Sequence, residues 1–541
     1  MVDEDIIIYG DRITIPTSND SLGIQFHTAL MENKEEPLFI DVFSGESVTN
    51  KAVFKNSCRL GQCLRNFGLV KGDVIAVCSE NNIYLFDPVL AALYSGIIVS
   101  MFSPLYTEGE FIHIANISQP SVIFCSVQSS SVALKAKDRL KKTPKIVIIN
   151  DKSDYRECQS MENFILENIS KNFDFNKFIP HPLNVRDDVA FVMHSSGTTG
   201  LPKGVMLTHF NYNTTFGIFN LTRATVQHAQ VSLAVIPLFH AYGLFLLCER
   251  ILWGGQLILM SNFDPHIYLK TIQDYKIENL SIVPSIANFL AKSEIVNKYD
   301  LSCVKVIYCG AAPLSRNVQE GLIERLKVDQ VKQAYGMTEA TLGLIIHSDI
   351  NKTAPNSCGR VLPNVSVKVV DIDTGKSLGP MKTGELWFRG DVIMKGYYNN
   401  PEATRNAIDE NGWLHTGDIG YYDHNHMFYI VDRLKELIKC KGYQVAPAEL
   451  EAILLSHPKI ADAGVVGISN ERYGEVPFAF VAKAQNQSLS ESEVESFVAE
   501  QVSPYKRLGG VKFVSNIPRN PGGKILRRYL RDQFFIQKSN L

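Results

Sequence analysis

No two of the ten cysteines form a C-x-x-C pair, and their spacing follows no repeat. That argues against structural zinc and for a reducing compartment. Cys440, between Lys439 and Lys441, is the only one in a conspicuously basic setting. Neither sign of charge dominates: 54 Lys+Arg stand against 56 Asp+Glu, which leaves no electrostatic footprint for nucleic acid. Long apolar runs are missing as well. The opening MVDEDIIIYG is acidic and its apolar run stops after three isoleucines, so it lacks the basic region and apolar core of a secretory signal, and export is not expected. Two uncharged stretches, Pro88 to Tyr106 and Val231 to Cys248, are interrupted by Pro, Gly or polar residues. They read as buried strand and helix, so no transmembrane segment is expected. Tandem repeats and low-complexity segments are absent too.

What is present is a chain of 541 residues, 45% of them apolar, too long for one hydrophobic core. Short apolar runs such as Val74 to Cys78, Ser121 to Cys125, Ile146 to Ile149, Val189 to Met193 and Val306 to Cys309 alternate with helical periodicity, as around Val318 to Leu326. That pattern predicts an α/β protein with largely buried sheets. From about Val361 the texture turns to Gly-punctuated strands, and GYYDHNHMFYIVDR reads as two strands around a polar turn, predicting a β-rich subdomain. A lysine-studded segment, LKELIKCKGYQV, then leads to Pro447, which opens an amphipathic helix carrying Leu450, Ile453 and Leu454. The boundary near Leu434 divides the chain into residues 1–434 and 435–541.

Four motifs carry chemistry. In HSSGTTGLPKGV, Lys203 is preceded by Pro202 and followed by Gly204, so the Walker G-K-[S/T] pattern is not met. Gly197, Gly200 and Gly204 permit close backbone approach, Ser195, Ser196, Thr198 and Thr199 supply donors, and Lys203 adds a cation. Such a loop suits a polyphosphate that comes and goes, although the same composition also suits an ordinary turn. The second motif runs through Gln333, Ala334, Tyr335, Gly336, Met337, Thr338 and Glu339: an aromatic ring to stack on a base, a hydroxyl for a phosphate oxygen, and a carboxylate for a hard cation such as Mg²⁺. In HTGDIGYY, Asp418 follows Gly417 where a carboxylate can accept from ribose hydroxyls. In PRNPGGKILRR, Gly522 and Gly523 let the chain turn and present Lys524.

In this order and at these separations, the motifs resemble those of the acyl-adenylate-forming family of beetle luciferases, 4-coumarate:CoA ligases and fatty acyl-CoA synthetases. SSGTTGLPKGV, GYYDHNHMFYIVDRLKELIKCKGYQVAPAELE and GGK carry the likeness across essentially the whole chain. The resemblance implies a large N-terminal domain of two α/β subdomains and a β-barrel, with a small mobile α+β C-terminal domain hinged near Lys435. It implies ATP, Mg²⁺ and coenzyme A as cofactors and a small-molecule carboxylic acid as substrate. By the same likeness the loop Ser195 to Lys203 holds the β- and γ-phosphates, with Thr198 and Glu339 serving Mg²⁺. Tyr335 and the stretch Gly310, Ala311, Ala312 frame adenine, Thr338 touches the α-phosphate, and Asp418 and Arg433 take the ribose. Lys524 is implied for adenylation and Lys439 for the thioester step, with Lys441, Gly442 and Gln444 near coenzyme A or the adenylate. His240 is implied at the gate of the acyl site, walled by Phe239, Tyr242 and Leu342.

Luminous relatives carry a serine in the T-S-A after their Y-G-x-T-E motif and an arginine a few residues beyond the T-H that closes the glycine-rich segment. This chain has Leu342 and Thr215 at those places. An isobutyl group and a neutral hydroxyl suit an alkyl tail better than a phenolate-bearing heterocycle, since burial contributes about 0.8 kcal/mol per CH₂. A medium- or long-chain fatty acid is therefore the expected substrate. A luciferase-type monooxygenase, a 4-coumarate-like aromatic ligase and a non-enzymatic module that keeps the fold are the alternatives. The pair His424 and His426 reads as a solvent-facing turn rather than a metal site. The terminal Ser539-Asn540-Leu541 is one residue from the S-K-L address, which makes a peroxisomal import receptor a candidate partner and the cytoplasm the other location.

Overall fold

The computed structural model describes residues 5–32, 35–195, 202–223, 230–328, 331–347, 357–440, 443–470, 473–484, 487–520 and 523–538. Its largest sheet has eight strands, in the spatial order Gly396–Tyr397, Lys203–Thr208, Val189–Ser195, Ile98–Phe102, Val74–Cys78, Val122–Cys125, Lys145–Ile148 and Gln159–Ser160. From Val189–Ser195 onward the neighbours are parallel, which is why their sequences are continuous apolar runs: both faces are covered. The two uncharged stretches resolve as expected, the first into helix Phe86–Leu93 and strand Ile98–Phe102, the second into strand Val231–Ala234 and helix Ala241–Trp253. Among the described residues no helix is long and apolar enough to cross a membrane.

A second α/β layer combines a four-stranded sheet with a five-stranded one. In the latter, Asn279–Ile282, Val306–Cys309 and Val331–Tyr335 run parallel, and two short antiparallel strands, Ile345–Ile346 and Arg360–Val361, complete it. The β-rich segment is a five-stranded antiparallel sheet, Ile8–Tyr9, Ser366–Val370, Gly384–Arg389, Leu414–Tyr422 and Phe428–Arg433. It occupies the place of the expected barrel, and its pairings run as an open path. The last two strands are the hairpin legible in GYYDHNHMFYIVDR, with His424 and His426 exposed at its turn.

Beyond Leu434 a separate sheet, built on Ile460–Asn470 and Gly474–Lys483, is flanked by helices Pro447–Ser456, Glu491–Ala499 and Arg527–Lys538. Its core is its own cluster, including Val445, Leu450, Leu454, Val465 and Val481. Inside it Glu451 accepts both Nη2 bonds of Arg527 (2.9 and 2.8 Å) and the backbone N–H of Val465 (2.9 Å). The two side chains are 11% and 15% exposed. Glu451→Ala is expected to destabilise this part of the chain by about 3–5 kcal/mol, because it strands a desolvated guanidinium. Denaturant unfolding followed in the variant and parent checks this, and an unchanged midpoint would contradict it.

This unit meets the larger body through donors on one helix and carbonyls on the other side. From helix Pro284–Lys292, Asn288 Nδ2 donates to the carbonyl of Ala461 (2.9 Å), and Lys292 Nζ to those of Leu455 (3.0 Å) and Ile460 (3.4 Å). Asp432 accepts the backbone N–H of Ala448 at 2.9 Å.

Candidate active site

The glycine-rich segment connects two antiparallel strands of the large sheet, Val189–Ser195 and Lys203–Thr208. Ser195 and Lys203 are register partners on these strands, so the segment starts and ends at one point. Its middle, with Ser196, Gly197, Thr198, Thr199 and Gly200, lies outside the described residues. At the base Ser195 Oγ donates to Glu339 Oε1 (2.6 Å), and the Tyr397 hydroxyl donates to the same oxygen (3.0 Å). Glu339 is buried on the short 3₁₀ turn Thr338–Ala340, and its carbonyl accepts the backbone N–H of Met394 (2.8 Å). Lys203 Nζ stands 4.8 Å from the Tyr397 ring centroid. Two fixed hydroxyls thus orient one carboxylate oxygen and leave the other available.

Across the cavity Asp418 and Arg433 face each other on adjacent antiparallel strands. Asp418 Oδ1 lies 3.2 Å from Arg433 Nε, and Oδ2 accepts the Tyr335 hydroxyl (2.7 Å). The Tyr335 phenol is held well above its usual pKa by burial and then by the Asp418 charge, so it stays a donor. Gly336, next along, is required by space: a Cβ there would lie 1.8 Å from the carbonyl oxygen of Leu342. Ala311 and Thr341 adopt left-handed φ values of 73° and 64°, and strain at non-glycine residues gathers where geometry is over-determined by function.

Lys524 enters from the C-terminal unit. Its turn is closed by Asn520, whose N–H donates to the Lys524 carbonyl (2.8 Å) and whose Oδ1 accepts the Lys524 N–H (2.8 Å). Gly523, at φ 82°, lies against the Val283 side chain of the main body. Burial first, then Arg433, push the Lys524 pKa down to about 8, while Asp418 and Glu339 oppose the shift. His240 begins helix Ala241–Trp253, and its buried Nε2 has no partner among the described residues. Burial, then the Lys524 charge, lower its pKa to about 4, so at neutral pH it is an uncharged imidazole facing the cavity.

Ser195, Lys203, Phe239, His240, Tyr242, Gly310, Ala311, Ala312, Gln333 through Glu339, Leu342, Asp418, Arg433 and Lys524 all line one cavity of about 2710 Å³. A single small ligand fills roughly 300–1,000 Å³, so this space suits a nucleotide and a second molecule together. Other candidates lie elsewhere. Lys439 and Gln444 are exposed partners on the hairpin Ile438–Cys440 and Tyr443–Val445, away from the cavity, with Lys441 and Gly442 outside the described residues. The expectation for Thr215 is corrected: it is fully buried in helix His209–Arg223, its hydroxyl bonds back to the Asn211 carbonyl (2.9 Å), and the wall residue is Phe219, one turn on. Tyr397 and a polar inner wall, described below, were not marked by any spacing in the sequence.

Residues 26–398 match the AMP-binding enzyme family and residues 449–524 match the AMP-binding enzyme C-terminal domain. A luciferin 4-monooxygenase of Photuris pensylvanica is 44% identical over 99% of each chain, and 4-coumarate–CoA ligase 1 of Petroselinum crispum is 38% identical over 98% of this chain and 97% of its own. The solved structure of a red-emitting luciferase from Phrixothrix hirtus is 40% identical, covers 98% of this chain and 99% of its own, and superposes with a TM-score of 0.71. With both of its family segments matched in order along one chain, and with that fold and cavity in place, this protein belongs to the AMP-binding, acyl-adenylate-forming enzymes.

Proposed function

We propose that the protein is an ATP-dependent acid–thiol ligase that adenylates a medium- or long-chain fatty acid and passes the acyl group to coenzyme A. The observation that carries this reading is the convergence on one cavity of Lys524, the Asp418–Arg433 pair and the Glu339 carboxylate beside a wall of Phe239, Phe245 and Leu342. A carboxylate is a poor electrophile, so the acid must first be activated. Its oxygen attacks the α-phosphorus of ATP, the bond to the β-phosphate bridging oxygen breaks, and pyrophosphate leaves with acyl-AMP formed. Catalysis is positioning plus stabilisation of charge on the phosphate oxygens.

In this reading Asp418 and Arg433 take the ribose, Tyr335 and Gly310 to Ala312 frame the adenine, Thr338 meets the α-phosphate, and the loop from Ser195 to Lys203 holds the departing pyrophosphate. Lys524 stabilises the oxygens of the reacting phosphorus. Mg²⁺ suits Glu339, one buried and oriented carboxylate, because this ion takes most of its remaining ligands from phosphate and water. When bound, the ion spreads the negative charge of the polyphosphate.

For the second step the thiolate of coenzyme A attacks the acyl carbon and AMP departs. Lys439, exposed beside Gln444, serves that step after residues 435–541 rotate about a hinge near Lys435. Ser539-Asn540-Leu541 is proposed as a peroxisomal address. The test is coenzyme A-dependent AMP release across a panel of acids: fatty acids are expected to lead, and hydroxycinnamates outrunning them would favour an aromatic-acid ligase instead. A second reading, luciferin oxygenation after the same adenylation, draws on the 44% identity to a luciferin 4-monooxygenase. Strong sustained light with ATP and beetle luciferin would favour it.

A further inference from the structure

The inner end of the cavity is not apolar. Ser281, Tyr308 and Lys332 form one row across three adjacent parallel strands, Ser281 paired with Tyr308 and Tyr308 with Lys332. Strand alternation sends Leu280, Ile307 and Val331 to the opposite face, into the core, and leaves the three polar side chains on the cavity wall. Helix Ala241–Trp253 lines the same space with Tyr242, Phe245, Glu249 and Trp253, spaced three or four residues apart and hence on one face. Glu249 is ion-paired with Arg250 at 2.9 Å, the side chains being 16% and 5% exposed.

Helix and sheet meet there. The Tyr242 hydroxyl donates to the Tyr308 carbonyl (3.5 Å), and Lys332 Nζ stands 5.5 Å from the Tyr308 ring centroid. Burial, then the Glu249 charge, push the Tyr308 phenol up to about 12, so it is a hydrogen-bond donor at neutral pH. His347 lines the cavity near Lys332. Its Nδ1 accepts the Gln333 backbone N–H (3.2 Å), which puts the proton on Nε2, a buried atom with no partner among the described residues. An alkyl tail pressed against such a wall would strip the Tyr308 phenol and the His347 Nε2 of water and return nothing.

We propose that the row Ser281–Tyr308–Lys332, facing Glu249–Arg250, is a specificity subsite for a hydrogen-bonding oxygen at the far end of the acid. The substrate is then a chain bearing a hydroxyl, oxo or carboxyl group, not a plain alkyl acid. This rests on the ligase reading and narrows its substrate class. The row begins beside Tyr242, whose hydroxyl meets the Tyr308 carbonyl, and extends towards Glu249, whose charge acts on the Tyr308 phenol. Along the helix that span is about 10 Å, and an extended chain covers about 1.2 Å per bond, so an oxygen meeting the row lies within about eight bonds of the gate.

The experiment measures coenzyme A-dependent AMP formation by the full chain with acids of about eight to twelve carbons: plain, hydroxylated, oxo and dicarboxylic. The best oxygen-bearing acid is expected to exceed its plain counterpart in kcat/KM by about tenfold or more, since a site built to hydrogen-bond discriminates against a ligand lacking the group. Tyr308→Phe and Lys332→Met should each bring that ratio towards one. Tyr308→Phe keeps the ring and decides the matter if the lysine variant fails to fold, with thermal unfolding as the check. Whether hydroxyl, oxo or carboxyl acids lead identifies the oxygen. Plain acids turned over equally well, or a ratio untouched by Tyr308→Phe, would overturn the subsite while leaving the ligase standing. Turnover of no acid at all would overturn both.

Discussion

Lys524→Ala is expected to lower adenylation by about 10²–10³-fold, measured as acid-dependent exchange of radiolabelled pyrophosphate into ATP, while thioester formation from supplied acyl-AMP survives. The reason is placement. Lys524 is brought into the cavity by the Asn520 turn and stands within the fields of Arg433, Asp418 and Glu339, where charge on the reacting phosphate would be met. Its pKa, lowered to about 8, adds a pH signature. A lowered pKa means that the cation is lost earlier as pH rises, so kcat/KM for the exchange in the free enzyme should hold below about pH 8 and fall above it. Lys524→Arg keeps its charge over the same range and should remove that fall, at a lower absolute rate because the fork cannot take the ammonium's place. An alkaline limb unchanged in Lys524→Arg would show that another group titrates.

The reciprocal result is expected for Lys439→Ala: pyrophosphate exchange retained, thioester formation from acyl-AMP reduced by about 10²-fold or more. In the present arrangement Lys439 is exposed on its hairpin and takes no part in the cavity wall, so its removal leaves the adenylation geometry untouched. Its backbone N–H is anchored to Glu475 (2.9 Å), and Cys440 beside it is buried, which holds the hairpin rigid enough to present one side chain outward. Equal losses in both half-reactions for both variants would contradict the division of labour between the two lysines.

The parts of this architecture with strong local periodicity were legible in the sequence. Continuous apolar runs became the buried parallel strands Val74–Cys78, Val122–Cys125 and Val306–Cys309, and GYYDHNHMFYIVDR became a hairpin, because those patterns follow from burial on two faces or one. The motif residues around Tyr335, Asp418 and Lys524 fall on one cavity, as the family resemblance implied. What escaped depends on tertiary packing. Thr215 was counted along the chain as a wall residue, yet helix His209–Arg223 turns it into the core and gives the wall to Phe219. Tyr397 lies far from Glu339 in sequence and meets it only because Gly396–Tyr397 adds to the edge of the large sheet. Ser281, Tyr308 and Lys332 sit on three separate strands, and alternation alone cannot say that their face meets a helix instead of water.

The junction between the two parts of the molecule has a lopsided chemistry. Asn288 and Lys292 supply side-chain donors, whereas Leu455, Ile460 and Ala461 answer with main-chain oxygens that every amino acid possesses. Mutational drift at those three receiving positions can therefore alter residue identity without erasing the handholds, so long as the local backbone course survives. The burden of recognition falls on side chains of the larger body, Asn288, Lys292 and Asp432, and a point change there would loosen the grip.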